Sequence, residues 1–286
     1  MQPSWPEPIT TERHAATIEA LAQRASTPCG DGSVVWHLWG DEGGPPVVLL
    51  HGGSGSWTHW VRNLGALVRS GRRVLAPDMP GFGDSAAPPD GHDADVLPRW
   101  IELGLQSIIG DARCDLVGFS FGALVSGLLA HEFPARVARL VLIGAPALSS
   151  ETLPPLPLQG WQHLPEGPQR EAAHRHNLGV LMLAQPASID PLAVALHAAN
   201  VVRDRMRRRR LMLTDVLVRT LPDLSCPVWG IWGADDVLYR ERHDLIARAL
   251  ARAPRFQMLT MVPHAGHWVQ YESPQVFNDA LLAALT

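Results

Sequence analysis

The chain predicts an α/β fold: a mostly parallel central sheet flanked by helices, with an inserted helical cap. Three observations carry that expectation. Short apolar runs closed by Gly, Pro or Asp recur along the chain and alternate with helix-like stretches. Several of these runs are continuous rather than alternating, as in strands buried on both faces of a parallel sheet. One stretch, from Ala147 to about Leu221, lacks strand character and is too long for a plain loop.

The elements follow in order. Residues 10–27, "TTERHAATIEALAQRAST", predict an amphipathic helix with Ile18, Leu21 and Ala22 on one face, stopped by "PCGDG". Strands are predicted at 33–40, 46–53, 72–78, 114–120, 137–144, 227–233 and 255–262. Helices are predicted between them, at 57–70, 94–109, 121–133, 240–252 and 274–285. The odd stretch opens on "SSETLPPLPLQGWQHLPEGP", rich in Pro, Gly and Leu. It continues in two helical pieces, "QREAAHRHNLGVLMLA" and "DPLAVALHAANVVRDRMRRRRLMLTDVLVRTL". The expected organisation is an N-terminal helical extension (1–31), a core (32–146 and 222–286) and a cap (147–221).

Bulk properties exclude several classes. The 286 residues are 46% apolar and 18% charged, enough to bury a large core. A net charge of −4 gives no reason to expect nucleic acid as a partner, so "RDRMRRRR" (203–210) is read as a solvated cap helix. Cys29, Cys114 and Cys226 are far apart, odd in number and without CxxC spacing, which suggests neither a disulfide framework nor zinc. The first residues, "MQPSWPEPITTERH", lack the basic end and apolar run of a secretory signal. No segment approaches the roughly 18 continuous apolar residues of a membrane span. A reduced, cytoplasmic setting is expected, without membrane span, metal or cofactor. His174 and His176 have a metal-like spacing but are read as part of a solvated helix face.

The chemistry is expected at Gly118-Phe119-Ser120-Phe121-Gly122. This G-x-S-x-G sequence follows a predicted strand and opens a predicted helix. A serine lifted from the top of a sheet must occupy a sharp, strained turn. Strand and helix then pass so close that both flanking positions favour glycine. A serine hydroxyl also needs a base, and the base needs a group to fix its tautomer. Loops at the carboxyl ends of later strands offer Asp235-Asp236 after "PVWGIWG", then His264 and His267 in "PHAGHW". The chain order Ser, Asp, His fits this architecture.

"HGGSGSWTHW", "DMPGFGDS", "GFSFG", "WGADD" and "HAGHW" together resemble the α/β-hydrolase superfamily, and their span covers the chain apart from its N-terminal helix and cap. The resemblance implies an α/β-hydrolase fold and a Ser120–His267–Asp236 triad, with Asp236 preferred to Asp235 and His267 to His264. It implies an oxyanion hole from the backbone N–H groups of Phe121 and Gly53. His51 and Asp84 are expected to make structural hydrogen bonds, and the remaining histidines to be surface or packing residues. Among ten tryptophans, Trp57, Trp60 and Trp268 flank the site loops and Trp161 lies in the cap. With Phe119 they are candidates for an apolar substrate pocket, and core packing is the competing reading.

A serine at position 120 sets the chain apart from dehalogenases and epoxide hydrolases, whose family pattern has aspartate there. Two resembling groups remain, ester hydrolases and the carbon–carbon hydrolases of meta-cleavage products. The second group usually has asparagine where Phe119 stands and a carboxylate-holding arginine in the cap. A rough register puts His197 or Asn200 at that cap position, with Arg203 and Arg205 near. An apolar Phe119 favours uncharged esters with an apolar or aromatic acyl part, with a ketone-type dienoate substrate as the alternative. A hydrolase-like small-ligand receptor is a third reading, and a homodimer stays open.

Overall fold

Eight strands form one sheet in the computed structural model, which describes residues 5, 13–149 and 155–286. In chain order they are β1 (Gln23–Cys29), β2 (Gly32–Trp39), β3 (Pro46–Leu50), β4 (Arg73–Pro77), β5 (Cys114–Phe119), β6 (Val137–Ile143), β7 (Val228–Gly233) and β8 (Phe256–Val262). Across the sheet the order is β1-β2-β4-β3-β5-β6-β7-β8. The pairs β1/β2 and β2/β4 are antiparallel, and every pair from β4 to β8 is parallel. Chain progression reverses direction between β3 and β5. In an open α/β sheet the crevice beyond the carboxyl ends of the strands at such a reversal is where ligands sit.

The helices are α1 (Arg13–Glu19), α2 (Leu64–Arg69), α3 (Leu97–Ile109), α4 (Phe121–Glu132), α5 (Pro168–Asn177), α6 (Pro191–Val201), α7 (Val216–Thr220), α8 (His243–Leu250), α9 (Val269–Glu272) and α10 (Pro274–Ala284). Apolar residues on both sheet faces explain the continuous runs. Val48, Leu50 and Leu116 pack on the side of Ile101 and Leu105 of α3 and Leu124 of α4. Val47, Leu49 and Val117 pack on the other side, with Leu67 of α2 and Phe277 and Leu281 of α10.

Three expectations are corrected. The helix predicted over 10–27 ends at Glu19, and Gln23–Cys29 is an edge strand of the main sheet rather than part of a helical extension. Only Thr27 and Cys29 of β1 are buried, so the strand has no apolar run to betray it. Its register is fixed instead by pairing with β2 and by a hydrogen bond from Trp36 Nε1 to Thr27 Oγ1 (2.9 Å). Residues 10–12 of the predicted helix lie outside the described residues. The helix predicted at 57–70 is a 3-10 turn, Trp57–Trp60, followed by α2.

The third correction concerns 203–210, which contains no helix. The run is tied to core loops instead. Arg205 N donates to Gly81 O (2.9 Å) and its guanidinium to Phe82 O, Gly83 O and Ser85 O. Arg203 Nη1 donates to Asp84 (3.0 Å). A helix would carry these side chains round its axis; the irregular backbone lets several of them face the core together.

Between β6 and β7 the described residues contain helical elements and irregular chain but no strand, and 150–154 lie outside the described set. After α5 the chain makes a π-helical turn, Leu178–Met182, closed by Leu183 N to Leu178 O (2.9 Å). Arg62 Nη2 donates to Asp190 (2.6 Å) before α6, and Tyr271 Oη donates to the same carboxylate (2.6 Å). Val218 N donates to Ala147 O (3.3 Å), so the two ends of the insertion meet.

Candidate active site

Ser120 stands at the joint of β5 and α4 with φ 52° and ψ −120°, a left-handed conformation that costs a non-glycine residue about 1 kcal/mol or more. Its N–H donates to Ile143 O of β6 (2.7 Å), which holds the bend against the neighbouring strand. The two elbow glycines meet different neighbours. A Cβ on Gly118 would lie 2.3 Å from Ser126 Oγ and 2.6 Å from Ala123 Cα, both in α4. A Cβ on Gly122 would lie 2.3 Å from Leu50 O and 2.4 Å from His51 O, at the end of β3. One glycine lets the helix fold back on its own strand, and the other seats it on the adjacent strand.

The loops after β7 and β8 bring the other two residues to Ser120. His267 Nε2 is 2.9 Å from Ser120 Oγ, and His267 Nδ1 is 2.8 Å from Asp236 Oδ2. A carboxylate oxygen accepts, so Nδ1 carries the proton and Nε2 is free to accept from the serine hydroxyl. Asp236 and His267 are buried, and Leu238 N donates to the remaining Asp236 oxygen (3.0 Å). Gly144 turns away at φ 52°; a Cβ there would come within 3.0 Å of the His267 ring. Asp235 makes no hydrogen bond to His267, and its N–H donates to Ala265 O (2.9 Å). His264 adopts φ 60° in the turn before the histidine loop, where its carbonyl accepts from Gln185 (3.4 Å).

The backbone N–H groups of Phe121 and Gly53 make no hydrogen bond among the described residues. Phe121 N–H is free because it begins α4, whose positive end faces the serine. His51 is fully engaged. Met79 N donates to its Nε2 (2.9 Å) and its Nδ1 donates to Gly52 O (2.8 Å). Burial pushes the His51 pKa down to about 4, which keeps it neutral.

A cavity of about 490 Å³ opens over these groups. Ser120, His267, Gly53 and Phe121 form its floor, and Leu158, Trp161, Leu181, Met182, His197 and Met212 of the insertion contribute to its walls. Phe119 and Trp161 line it, as expected. Trp57, Trp60 and Trp268 do not, and Trp60 is buried beside Phe277 (6.5 Å between ring centres). Trp57 packs on Trp39 (5.3 Å between ring centres), and Trp268 stacks on Tyr271 (4.2 Å) while its indole N–H donates to His59 O (3.0 Å). Both are consumed by the core because the loops that carry them turn back onto the sheet.

Sequence reasoning missed several residues here. His59 lines the cavity rather than packing elsewhere, and of the two residues that the sequence register offered for the cap position, His197 lines it. Gly52 N donates to His59 Nδ1 (3.1 Å), which places the ring proton on Nε2; burial depresses its pKa well below the usual histidine value. Asn200 is buried in a network with Ser56 and Thr58 and does not reach the cavity, whereas Arg209 does. Glu272 accepts from Gly266 N (2.6 Å), Ala184 N (3.0 Å) and Gln185 N (2.7 Å), pinning the histidine loop to the insertion. The lone acid inside "RDRMRRRR", Asp204, was the available signal for Arg209, since an acid embedded in cations invites pairing. His174, predicted on a solvated face, is buried against Trp161 and His197 (both 5.3 Å between ring centres).

The model of the alpha/beta hydrolase family matches residues 47–280, and the chain belongs to that family. It is 30% identical over 254 residues to a 2-hydroxy-6-oxo-6-phenylhexa-2,4-dienoate hydrolase of Burkholderia cepacia, covering 84% of this chain and 87% of the relative. Among solved structures, a carboxylesterase of Bacillus subtilis superposes with a TM-score of 0.74 at 19% identity, over 96% of this chain and 95% of the other. A meta-cleavage product hydrolase of Pseudomonas fluorescens superposes with a TM-score of 0.72 at 23% identity, over 91% and 97%. At those identities the superpositions speak for the fold. Among the described residues no helix is long and apolar enough to cross a membrane.

Proposed function

We propose that the chain is a serine hydrolase of small carboxylic esters with an apolar or aromatic acyl part. The observation that carries this reading is the unbroken line Ser120 Oγ, His267, Asp236 at the floor of a largely apolar cavity, beside two unengaged backbone donors. His267 takes the hydroxyl proton as Ser120 Oγ bonds to the ester carbonyl carbon. The negative charge that develops on the carbonyl oxygen is met by the N–H groups of Phe121 and Gly53. The C–O bond breaks as His267 returns the proton to the leaving alcohol. Water then attacks the acyl-enzyme with His267 again as base, and Ser120 is released. Phe119, buried with its ring centre 5.1 Å from that of His267, keeps the nucleophile's surroundings apolar and supports an uncharged acyl group. Residues 147–221 act as the cap that closes the site.

A carbon–carbon hydrolase acting on a meta-cleavage dienoate is the second reading. Arg209 in the cavity wall favours it as a counter-charge for a substrate carboxylate, and so does the name of the Burkholderia cepacia relative. Turnover of a panel of p-nitrophenyl esters and a dienoate, with Ser120→Ala beside the parent, separates the readings. The variant should lose about four or more orders of magnitude in kcat on the preferred substrate, together with labelling by a fluorophosphonate. Undiminished turnover in Ser120→Ala would remove Ser120 as the nucleophile.

A further inference from the structure

The loop that carries Gly53 is not held by the core alone. Ser54, the next residue, adopts φ 51°, an unfavourable backbone conformation for serine. Its hydroxyl donates to Asp204 Oδ2 at 2.5 Å. Asp204 is itself buried; its other oxygen accepts from Met206 N (2.9 Å), and Oδ2 also accepts from Arg209 Nη1 (2.8 Å). Arg209 Nη2 donates to Ser54 Oγ (3.3 Å), closing a triangle of Ser54, Asp204 and Arg209.

The Arg209 guanidinium sits against the Gly53 backbone and near the Phe121 side chain. A Cβ on Gly53 would lie 3.3 Å from the central carbon of the Arg209 guanidinium, so that group covers the Gly53 backbone. The same guanidinium lies 5.5 Å from the ring centres of Phe121 and Phe82. Two residues of the inserted segment thereby clamp one core residue, Ser54, which follows Gly53 directly in the chain and is itself held in an unfavourable conformation. Charge-assisted hydrogen bonds in a partly buried setting are strong enough to hold such a conformation.

We propose that Asp204 and Arg209 are positioning residues of the oxyanion hole: acting through Ser54, they hold the Gly53 N–H toward the nucleophile. Acyl transfer then depends on the contact of Asp204 and Arg209 with Ser54. This inference rests on the serine-hydrolase reading above. It makes the transition state, rather than substrate binding, the quantity that Asp204 controls.

The test uses a neutral p-nitrophenyl ester, so that no substrate carboxylate confuses the role of Arg209. Ser54→Ala, Asp204→Ala, Arg209→Met and Arg209→Lys are compared by kcat, KM and two inhibitors of one shape. A trifluoromethyl ketone traps the serine as a tetrahedral oxyanion; the matching secondary alcohol cannot. Ser54→Ala, Asp204→Ala and Arg209→Met should each lower kcat by about 10- to 100-fold, less than the loss of a donor itself, with KM changed by less than about 3-fold. Trifluoromethyl ketone affinity should fall in parallel while alcohol affinity stays level. Arg209→Lys should keep more activity than Arg209→Met, and Ser54→Ala/Asp204→Ala should be no worse than either single variant, because they break one unit. If Asp204→Ala fails to fold, Ser54→Ala, which removes one hydroxyl, carries the same expectation. Unchanged kcat in Ser54→Ala, or equal losses for ketone and alcohol, would overturn the proposal. The serine-hydrolase reading would survive that result as long as Ser120→Ala remained inactive.

Discussion

The sheet and the inserted segment hold the site by different means. Around Ser120, Asp236 and His267 the positions are set by backbone: strand ends, a left-handed serine and glycines at Gly118, Gly122 and Gly144 that admit close passage. The insertion is docked to a large extent by side chains, through Arg62–Asp190, Ser54–Asp204–Arg209 and Glu272 on Ala184 and Gln185. Backbone packing tolerates almost no change, whereas a side-chain clamp can be exchanged one residue at a time. The difference is one of tolerance: the backbone-set half has little room for substitution, while the side-chain-docked half can change contact by contact.

The comparison can be broken first at its rigid end. Asp236→Asn should preserve the fold and lower kcat by about 10³- to 10⁴-fold, because the amide favours the wrong tautomer of His267. Steady-state kinetics with matched circular dichroism spectra check this; a loss under about tenfold would show that another group orients the imidazole. Gly122→Ala comes next. Its Cβ would meet the carbonyl oxygens of Leu50 and His51 at 2.3 and 2.4 Å, neither of them able to swing aside. A destabilisation of about 3 kcal/mol is expected in urea unfolding. Parent-like stability would mean that α4 slides freely on β3.

At the adjustable end the effects should be smaller. Arg62→Met removes the half-buried pair with Asp190 and the ring contact with Tyr271, at 3.7 Å from guanidinium carbon to ring centre. The expected loss is about 1–2 kcal/mol in stability. A rise in KM larger than the fall in kcat should accompany it, since the insertion loosens while the triad stays in place. A kcat loss as large as that of Asp236→Asn would erase the distinction between the two halves.

The last effect is a slope with pH. Burial raises the Asp78 carboxyl pKa from 3.8 to about 6, against the pull of hydrogen bonds from Asp84 N and Trp57 N. The folded state therefore binds a proton that the unfolded chain has released over this range. The stability it contributes is fully present below pH 3.8 and is lost as pH rises towards about 6. The slope from this single group cannot exceed about 1.4 kcal/mol per pH unit. Asp78→Asn should be flatter than the parent in urea unfolding between about pH 4 and 6, the range set by the two pKa values. Parallel curves for the two proteins would remove Asp78 as the cause.

Much of the fold was legible in the sequence because burial on both faces writes itself as a continuous apolar run. Val47 to Leu50 is the plainest case, with alternate residues serving opposite sides of the sheet. The missed strand, β1, is the converse. At the edge of the sheet only Thr27 and Cys29 are buried, and its pairing with β2 lies in backbone hydrogen bonds that no side-chain pattern announces. The serine turn was legible from the glycines at 118 and 122, whereas the choice of Asp236 over Asp235 and of His267 over His264 came from the family resemblance.

By itself, then, the sequence determined the parallel sheet, the strained serine turn and the residues offered to it, because local conformational demands and apolar periodicity are properties of neighbouring positions. Tertiary structure decided the rest of the cavity wall. It withdrew Trp57 and Trp268 into the core, brought His59 to the wall, chose His197 over Asn200, and unwound the arginine run so that Asp204 and Arg209 meet Ser54. Ser54 and Asp204 are 150 residues apart in the chain, and their contact depends on where the insertion docks, which no local pattern encodes.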